Sequence, residues 1–197
     1  MQNELLSLVS ARKGHFKLES GHHGGMWMDL DPLFVVPARI QPFIAVLADK
    51  LSTHGVEAVC GPLVGGGFLA QAIATLLGVE FYYAERFVPA VRDRLYPIEY
   101  RIPAGVGKLL HGKTVAVVDD AVSAGSAIRG TLATLEKYGA KPVAIGALLV
   151  LGDSAVRFCA DRGMMLEAIA RLPYEGWLPA ECPLCGAGVA LEDVVTG

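Results

Sequence analysis

Two adjacent carboxylates, Asp119 and Asp120, follow an apolar run and precede a loop of small and hydroxylated residues. The stretch reads VAVVDDAVSAGSA over residues 115–127, which predicts a strand at residues 114–118 and a helix at residues 126–138. Open parallel sheets bind ligands at the carboxyl ends of their strands. Carboxylates accept hydrogen bonds from ribose hydroxyls or hold hydrated Mg2+, and a loop that opens a helix offers N–H groups to phosphate. The stretch therefore predicts a ribose phosphate site.

A glycine-rich segment, GPLVGGGFLA at residues 61–70, follows a predicted strand at residues 57–60 and leads into a predicted helix at residues 67–77. Because glycine lacks a Cβ atom, backbone amides there can approach diphosphate oxygens closely. Residues 65–70 also fit the dinucleotide fingerprint G-x-G-x-x-A, and Glu85 lies where a ribose-binding acid is expected. Two facts argue against this nicotinamide alternative: Pro62 interrupts the strand just before the glycines, and the acidic pair is left without a role.

The elements that carry these segments alternate between strands and helices, which predicts an α/β fold with a doubly wound parallel sheet. Further strands are predicted at residues 79–83 and 142–150. A helix from about residue 42 to 53 leads into the sheet, with Pro37 and Pro42 in its approach and first turn. Residues 1–35 contain a short amphipathic helix and strand-like runs at 16–19 and 26–29. Residues 86–107 lack periodicity and predict a long functional connection.

The composition argues against several classes of protein. The 197 residues are 53% hydrophobic with a net charge of -3, which predicts one compact domain with a small appendage and argues against duplex-DNA binding. The longest uncharged apolar stretch, residues 143–152, is about half of the ~20 residues that a membrane span requires. The first residues lack a basic segment ahead of an apolar run, so we expect a cytoplasmic protein with neither a membrane nor a nucleic-acid partner.

The acidic stretch resembles the phosphoribosyl diphosphate (PRPP) signature of the type I phosphoribosyltransferase family, and the glycine-rich segment is similar to the pyrophosphate loop of its orotate-specific members. The resemblance implies that Asp119 and Asp120 contact the ribose 2′- and 3′-hydroxyls and hold Mg2+, directly or through water. It implies that residues 123–127 hold the 5′-phosphate. The implied PRPP-binding residues are Gly65, Gly66, Asp119, Asp120, Ala121, Val122, Ser123, Ala124, Gly125, Ser126 and Ala127.

A second resemblance indicates which residues bind the base. The segment GHFKLESG at residues 14–21, with the strand at 26–29, is similar to the opening of orotate phosphoribosyltransferases, where this region lies beside the pyrimidine. The resemblance implies that Lys17 and Trp27 bind the base, and that Arg129 binds the substrate carboxylate. A guanidinium suits that role because it donates two parallel hydrogen bonds. Core packing of Trp27 and a solvent-facing Arg129 are the alternatives.

The connection at residues 86–107 departs from the family pattern of an Arg-Lys pair followed by a Lys and a His. Residues 86–101 contain Arg86, Arg92, Arg94 and Arg101 against Asp93 and Glu99. The resemblance implies a mobile basic loop in which Arg86 stabilises the diphosphate leaving group, as a catalytic residue beside the acidic pair. It also implies a homodimer, because the corresponding loop of the family reaches the neighbouring subunit's site. A solvated surface loop is the alternative.

The last residues contain Cys182 and Cys185, a pair at metal-knuckle spacing. Structural zinc takes four ligands, so His111, Cys159 or the same pair of another subunit would have to complete a zinc site. A redox pair or plain reduced thiols are the alternatives. We expect a phosphoribosyltransferase domain at residues 1–172, with its hood in residues 1–35, and a C-terminal extension at residues 173–197.

The resemblance implies transfer of a phosphoribosyl group from Mg2+-bound PRPP to orotate, which gives orotidine 5′-monophosphate and diphosphate in pyrimidine nucleotide biosynthesis. Two alternatives remain open from the sequence. One is a phosphoribosyltransferase for another base, such as a purine or uracil. The other is a PRPP-sensing regulator without catalytic activity.

Overall fold

The computed structural model describes residues 1–90 and 95–194, which form two sheets with helices around the larger one. The strands are β1 (Ser10–Lys17), β2 (His23–Asp29), β3 (Ala58–Pro62), β4 (Glu80–Phe87), β5 (Glu99–Arg101), β6 (Thr114–Val122), β7 (Lys141–Leu151), β8 (Met165–Leu172), β9 (Gly176–Trp177) and β10 (Glu192–Asp193). The helices are α1 (Gln2–Leu6), α2 (Pro32–Val35), α3 (Pro37–Ser52), α4 (Gly65–Leu77), α5 (Ala104–Gly107), α6 (Ser126–Lys137), α7 (Ser154–Asp161) and α8 (Pro183–Gly186).

The larger sheet has six strands in the order β5-β4-β3-β6-β7-β8. Its neighbours pair in parallel, except β5, which runs antiparallel to β4 at the edge. Alternate residues of β6 enter two different cores: Val115 and Val117 pack with α6, whereas Ala116 and Val118 pack with α3 and α4. Helices therefore cover both faces, which confirms the predicted doubly wound α/β fold.

The smaller sheet joins the two ends of the chain. Its order is β10-β1-β2-β9, so two short strands from the C-terminal residues flank the N-terminal hairpin on both sides. β10 pairs in parallel with β1, and β9 pairs antiparallel with β2. The predicted hood and the predicted C-terminal extension thus share one sheet, a long-range pairing that the local sequence pattern does not contain.

Several element boundaries differ from the sequence prediction, among them the start of α3 and the end of β6. The helix predicted from residue 42 begins at Pro37, so Pro42 lies inside α3. Proline has no N–H, but Pro42 and Ala38 are both exposed, so water can bond to the carbonyl that loses its helical partner. Strand β6 continues beyond the predicted end at residue 118, because its pairing with β7 extends to Val122. The acidic pair therefore lies within the strand, not after it.

The predicted long connection at residues 86–107 contains regular structure. It includes the end of β4, all of β5 and helix α5. Arg92, Asp93 and Arg94 of the predicted basic loop lie outside the described residues. Among the residues that are described, no helix combines the length and the apolar character needed to cross a bilayer.

Candidate active site

Strand β6, in the middle of the larger sheet, carries Asp119 and Asp120 near its carboxyl end to a cleft of about 640 Å3. The Asp120 amide donates to Asp119 Oδ1 at 3.0 Å, and the Ala121 amide donates to Asp120 Oδ1 at 2.7 Å. Burial is the largest cause that raises the pKa of Asp119 above the usual carboxyl range, and the neighbouring Asp120 raises it further. Burial also raises the pKa of Asp120, although the bond from Ala121 partly offsets this. A bound cation or hydroxyl donors would therefore stabilise the charged form of these two carboxylates.

The glycine-rich segment packs directly against this pair. Gly65 is the first residue of α4, and a Cβ atom there would overlap Asp120 Oδ2 and lie 2.7 Å from Asp120 Cγ. A Cβ atom on Gly66 would lie 2.8 Å from Asp119 Oδ1. Both distances are shorter than real Cβ contacts, so only glycine allows α4 to begin this close to β6. The structure thus brings together the two segments that carry the phosphate-site prediction.

The loop from β6 to α6 forms the next wall of the cleft, to which residues 121–127 all contribute. Gly125 has a φ angle of 77°, a left-handed conformation that favours glycine, and it precedes the first residue of α6. Ser126 Oγ is buried without a hydrogen-bond partner; Thr131 Oγ1, farther along α6, is the other such side-chain atom among the described residues. A buried hydroxyl without a partner, at the N-terminus of a helix, fits a phosphate ligand.

A hydrogen-bonded group of three side chains also lines the cleft. Arg86 Nε donates to Glu19 Oε2 at 2.8 Å, and the Tyr100 hydroxyl donates to Glu19 Oε1 at 2.7 Å. Burial, and then the Glu19 charge, raise the pKa of Tyr100 far above its usual value, so its hydroxyl stays protonated. Arg86 therefore lies in the cleft as predicted, and Glu19 holds its guanidinium there.

Aromatic and apolar side chains form the remaining wall. Trp27 and Met28 of β2 line the cleft with Phe34, Phe68 and Tyr174. The rings of Phe34 and Phe68 lie 5.6 Å apart between centroids, and the Tyr174 hydroxyl donates to the backbone carbonyl of Met26 at 2.9 Å. Trp27 is thus available to a planar ligand, and the C-terminal residues contribute to the wall through Tyr174.

Two predicted base-binding residues do not line this cleft as the structure describes it. The Arg129 guanidinium lies 3.8 Å from the Phe158 ring centroid and 4.8 Å from that of Tyr96, and its Nε donates to the Ala124 carbonyl at 3.2 Å. Lys17 lies in β1 opposite His23 of β2. Arg129 therefore supports the phosphate-side loop from behind, and Lys17 belongs to the smaller sheet.

Sequence reasoning missed several residues that line the cleft. Tyr100 had no usable signal, because β5 is only three residues long in a segment without periodicity. Asp29 and Asp31 had a signal, since Asp29 ends a predicted strand and Asp31 follows it closely. Carboxylates are therefore the most frequent charged groups in the lining. The acidic lining residues are Glu19, Asp29, Asp31, Asp119 and Asp120, and Arg86 is the basic one among those described.

Cys182 and Cys185 lie outside the cleft, beside the smaller sheet. The structure brings His15 and His23 to this pair. It does not bring His111 or Cys159, which the sequence offered as further ligands: Cys159 is a buried residue of α7, and His111 is exposed before β6.

Comparison with curated proteins finds relatives over nearly the whole chain. The chain is 30% identical over 199 residues to the orotate phosphoribosyltransferase of Thermotoga maritima, and the match covers 98% of this chain and 96% of the relative. It is 28% identical over 179 residues to the orotate phosphoribosyltransferase of Caldanaerobacter subterraneus, which covers 91% and 87% of the two chains. No family model matches the chain.

Solved structures share the fold. Orotate phosphoribosyltransferase from Aeropyrum pernix superposes with a TM-score of 0.63 at 21% identity, over 86% of this chain and 92% of the other. Adenine phosphoribosyltransferase from Thermoanaerobacter pseudethanolicus gives a TM-score of 0.66 at 20% identity, over 86% and 99%. Enzymes for two different bases thus share this architecture, so the fold alone does not select the base.

Proposed function

The chain belongs to the orotate phosphoribosyltransferase family, and we propose that it transfers the phosphoribosyl group of PRPP to orotate, which gives orotidine 5′-monophosphate and diphosphate. The observation that carries this proposal is the contact between the acidic pair and the first turn of α4, beside the phosphate-side loop. Ribose hydroxyls, a 5′-phosphate and a diphosphate each find a matching group within one cleft.

Each part of PRPP has residues of suitable chemistry. Asp119 and Asp120 accept hydrogen bonds from the ribose hydroxyls, and their charge stabilises the positive charge that develops at the anomeric carbon. The loop at residues 123–127, with the Ser126 hydroxyl, receives the 5′-phosphate. The Gly65 amide and Arg86, which both line the cleft, would receive the leaving diphosphate. The pyrimidine would lie against Trp27.

The chemistry of the cleft fits Mg2+. Five carboxylates line it, whereas PRPP is itself strongly anionic, so a divalent cation is needed to bring the two together. Asp119 and Asp120 would hold the ion, directly or through its waters, because Mg2+ prefers oxygen ligands and keeps part of its hydration shell. When bound, the ion supplies charge neutralisation for the leaving diphosphate.

Substitution of Ser126 by Ala is expected to raise the KM for PRPP by roughly tenfold or more, because a hydrogen bond to a charged group contributes about 1.5–3 kcal/mol. The KM for orotate should change little, since Ser126 lies on the phosphate side. Steady-state kinetics with each substrate varied in turn measures both. Thr131→Val is the matched control, because Thr131 also has a buried hydroxyl without a partner on the same helix but does not line the cleft. Equal effects of the two substitutions on PRPP would contradict the assignment.

Substitution of Arg129 by Lys distinguishes two roles for this residue. In our account Arg129 holds the Ala124 carbonyl and stacks on Phe158, so its loss should raise the KM for PRPP by about tenfold. A residue that bound the orotate carboxylate would instead raise the KM for orotate. Arg157→Lys, at an exposed position on α7, is the control. A selective increase in the orotate KM would overturn the positioning role.

The proposed reaction is tested by diphosphate release from PRPP and Mg2+ with orotate, uracil, adenine, hypoxanthine or guanine in turn. Orotate should be turned over best. Preferred turnover of another base would favour a phosphoribosyltransferase of different specificity. Tight PRPP binding without turnover of any base would favour a PRPP-sensing regulator. The homodimer and the cytoplasmic location stay predictions, and sedimentation analysis of the full chain tests the first of them.

A further inference from the structure

Four side chains with metal-binding atoms converge outside the cleft. His15 of β1 and His23 of β2 face Cys182 and Cys185, and their ligand atoms all lie within 4.8 Å of one another. His15 Nε2 lies 3.2 Å from His23 Nδ1 and 3.3 Å from Cys182 Sγ. Cys185 Sγ lies 3.3 Å from His23 Nδ1 and 3.7 Å from His15 Nε2. Two imidazole nitrogens and two sulfurs thus surround one point.

These separations match the edges of a tetrahedral zinc site. With Zn–N bonds of about 2.0–2.1 Å and Zn–S bonds of about 2.3 Å, neighbouring ligand atoms are roughly 3.3–3.8 Å apart. Four of the six separations range from 3.2 to 3.7 Å, and the other two do not exceed 4.8 Å. A two-histidine, two-cysteine set at tetrahedral separations is typical of zinc. Two thiolates also balance the charge of a Zn2+ ion, so the filled site would be neutral.

A hydrogen bond at His15 Nδ1 determines the protonation of Nε2, the nitrogen that faces the cluster. His15 Nδ1 lies 2.8 Å from the Val189 carbonyl, which can only accept a hydrogen bond. In the neutral imidazole Nδ1 therefore carries the proton, and Nε2 presents its lone pair to His23, Cys182 and Cys185. Metal-bound histidines almost always donate their other N–H to such a partner.

The fold explains how distant residues reach one point. One extra residue between Lys13 and Phe16 makes a bulge in β1, a feature that re-aims side chains. Lys17 pairs with His23, so His15, two residues before Lys17, lies on the same face of the hairpin as His23. Strands β9 and β10 dock on the two edges of this hairpin, and the cysteine pair lies between them in sequence. The docking therefore brings the pair over the two histidines.

Burial shields three of the four side chains from water. His15, His23 and Cys182 are only 3%, 5% and 5% exposed, although each carries a polar or ionisable atom. A metal ion would bind these three and Cys185 at once, in place of the hydrogen bonds that the histidines and cysteines share with one another.

We propose that His15, His23, Cys182 and Cys185 bind one structural Zn2+ ion that fastens the C-terminal residues to the N-terminal hairpin. Four protein ligands leave no open coordination position, which is the property of a structural site. The ion would take no part in the phosphoribosyl transfer. It would instead hold the hairpin whose turn contains Glu19 and whose second strand carries Trp27 into the cleft.

The test is the zinc content of the full chain after dialysis into metal-free buffer, measured by inductively coupled plasma mass spectrometry. We expect about one zinc per chain in the wild type. Cys185→Ser should lose most of it, and because Cys185 is exposed this variant is the mildest disruption. Cys185→His should retain zinc, since it keeps four ligands. Cys159→Ala and His111→Ala, which change a thiol and an imidazole outside the cluster, should also retain it.

Cobalt gives a second readout that does not depend on any variant. Wild-type protein loaded with Co2+ should show the intense visible absorption of tetrahedral cobalt with thiolate ligands. Wild-type chain that binds neither Zn2+ nor Co2+, or whose Cys182 and Cys185 thiols still form a disulfide in air after they have been reduced and supplied with zinc, would overturn the proposal. So would equal zinc content in Cys185→Ser and the wild type. These results are independent of which base the enzyme uses.

Discussion

Replacing both Asp119 and Asp120 by Asn is expected to reduce kcat by about a thousandfold or more. Removal of a single group aimed at transition-state charge already costs roughly a hundred- to a thousandfold. The amide side chains keep the size and the backbone hydrogen bonds of the carboxylates but remove their charge. The stabilisation of the anomeric carbon and the oxygen ligands for Mg2+ are then lost together.

The same double variant should be at least as stable as the wild type without ligands. The folded-state pKa of each carboxyl is raised, so ionisation costs folding free energy. This cost is absent below the ordinary carboxyl pKa and grows as the pH rises through the raised values. Near neutral pH the Asn variant avoids it, so its melting temperature should equal or exceed that of the wild type.

The measurement pairs kcat with thermal denaturation at neutral pH. Asp49→Asn, on the exposed side of α3, is the control and should change neither quantity. A double variant with more than a tenth of wild-type activity would show that the acidic pair is not the site. A large fall in melting temperature would show that the two carboxylates stabilise the fold, contrary to their raised pKa values.

Gly65→Ala is expected to lower kcat/KM by about a hundredfold, because a shift of about 1 Å in a positioned group can cost that much. The new Cβ atom would overlap Asp120 Oδ2, so either the carboxylate or the first turn of α4 has to move. Activity should fall more than stability, since the strain lies at the cleft and not in either core. Steady-state kinetics and thermal denaturation of the variant measure the two effects.

Gly105→Ala is the matched control, because nothing lies within 4 Å of the Cβ position at Gly105 in α5. This control should leave both kinetics and stability unchanged. If Gly65→Ala instead has the same kcat/KM as the wild type, the acidic pair and the first turn of α4 need not be in contact during the reaction.

The sequence predicted the parts of the site that depend on local patterns. Asp119, Asp120 and Gly65 were recognisable because an apolar strand, a polar or glycine-rich turn and a helix follow one another along the chain. The sequence indicated that residue 65 should be glycine to let a phosphate approach, but not that glycine is also required by a neighbouring side chain. The missing Cβ atom of Gly65 makes room for Asp120, a residue from a different strand, and that contact appears only when β3 and β6 pair.

The parts that could not be predicted depend on pairing between distant segments. His15 and Cys182 are separated by 167 positions, and only the docking of β9 and β10 on the hairpin brings them together. The direction of the Arg129 side chain depends on Phe158 of α7, which packs behind the loop. Spacing along the chain places a residue on an element, but the neighbouring element decides where its side chain lies.

The central claim is that this cleft transfers the phosphoribosyl group of PRPP to orotate. Phosphorus NMR of the wild-type protein with PRPP, Mg2+ and orotate tests it most directly, with orotate absorbance followed in parallel. Our account predicts that free diphosphate and one new phosphate monoester appear in equal amounts as orotate is consumed, and that neither appears when orotate is omitted. Conversion of PRPP that does not require orotate, or PRPP that remains intact in its presence, would contradict the account.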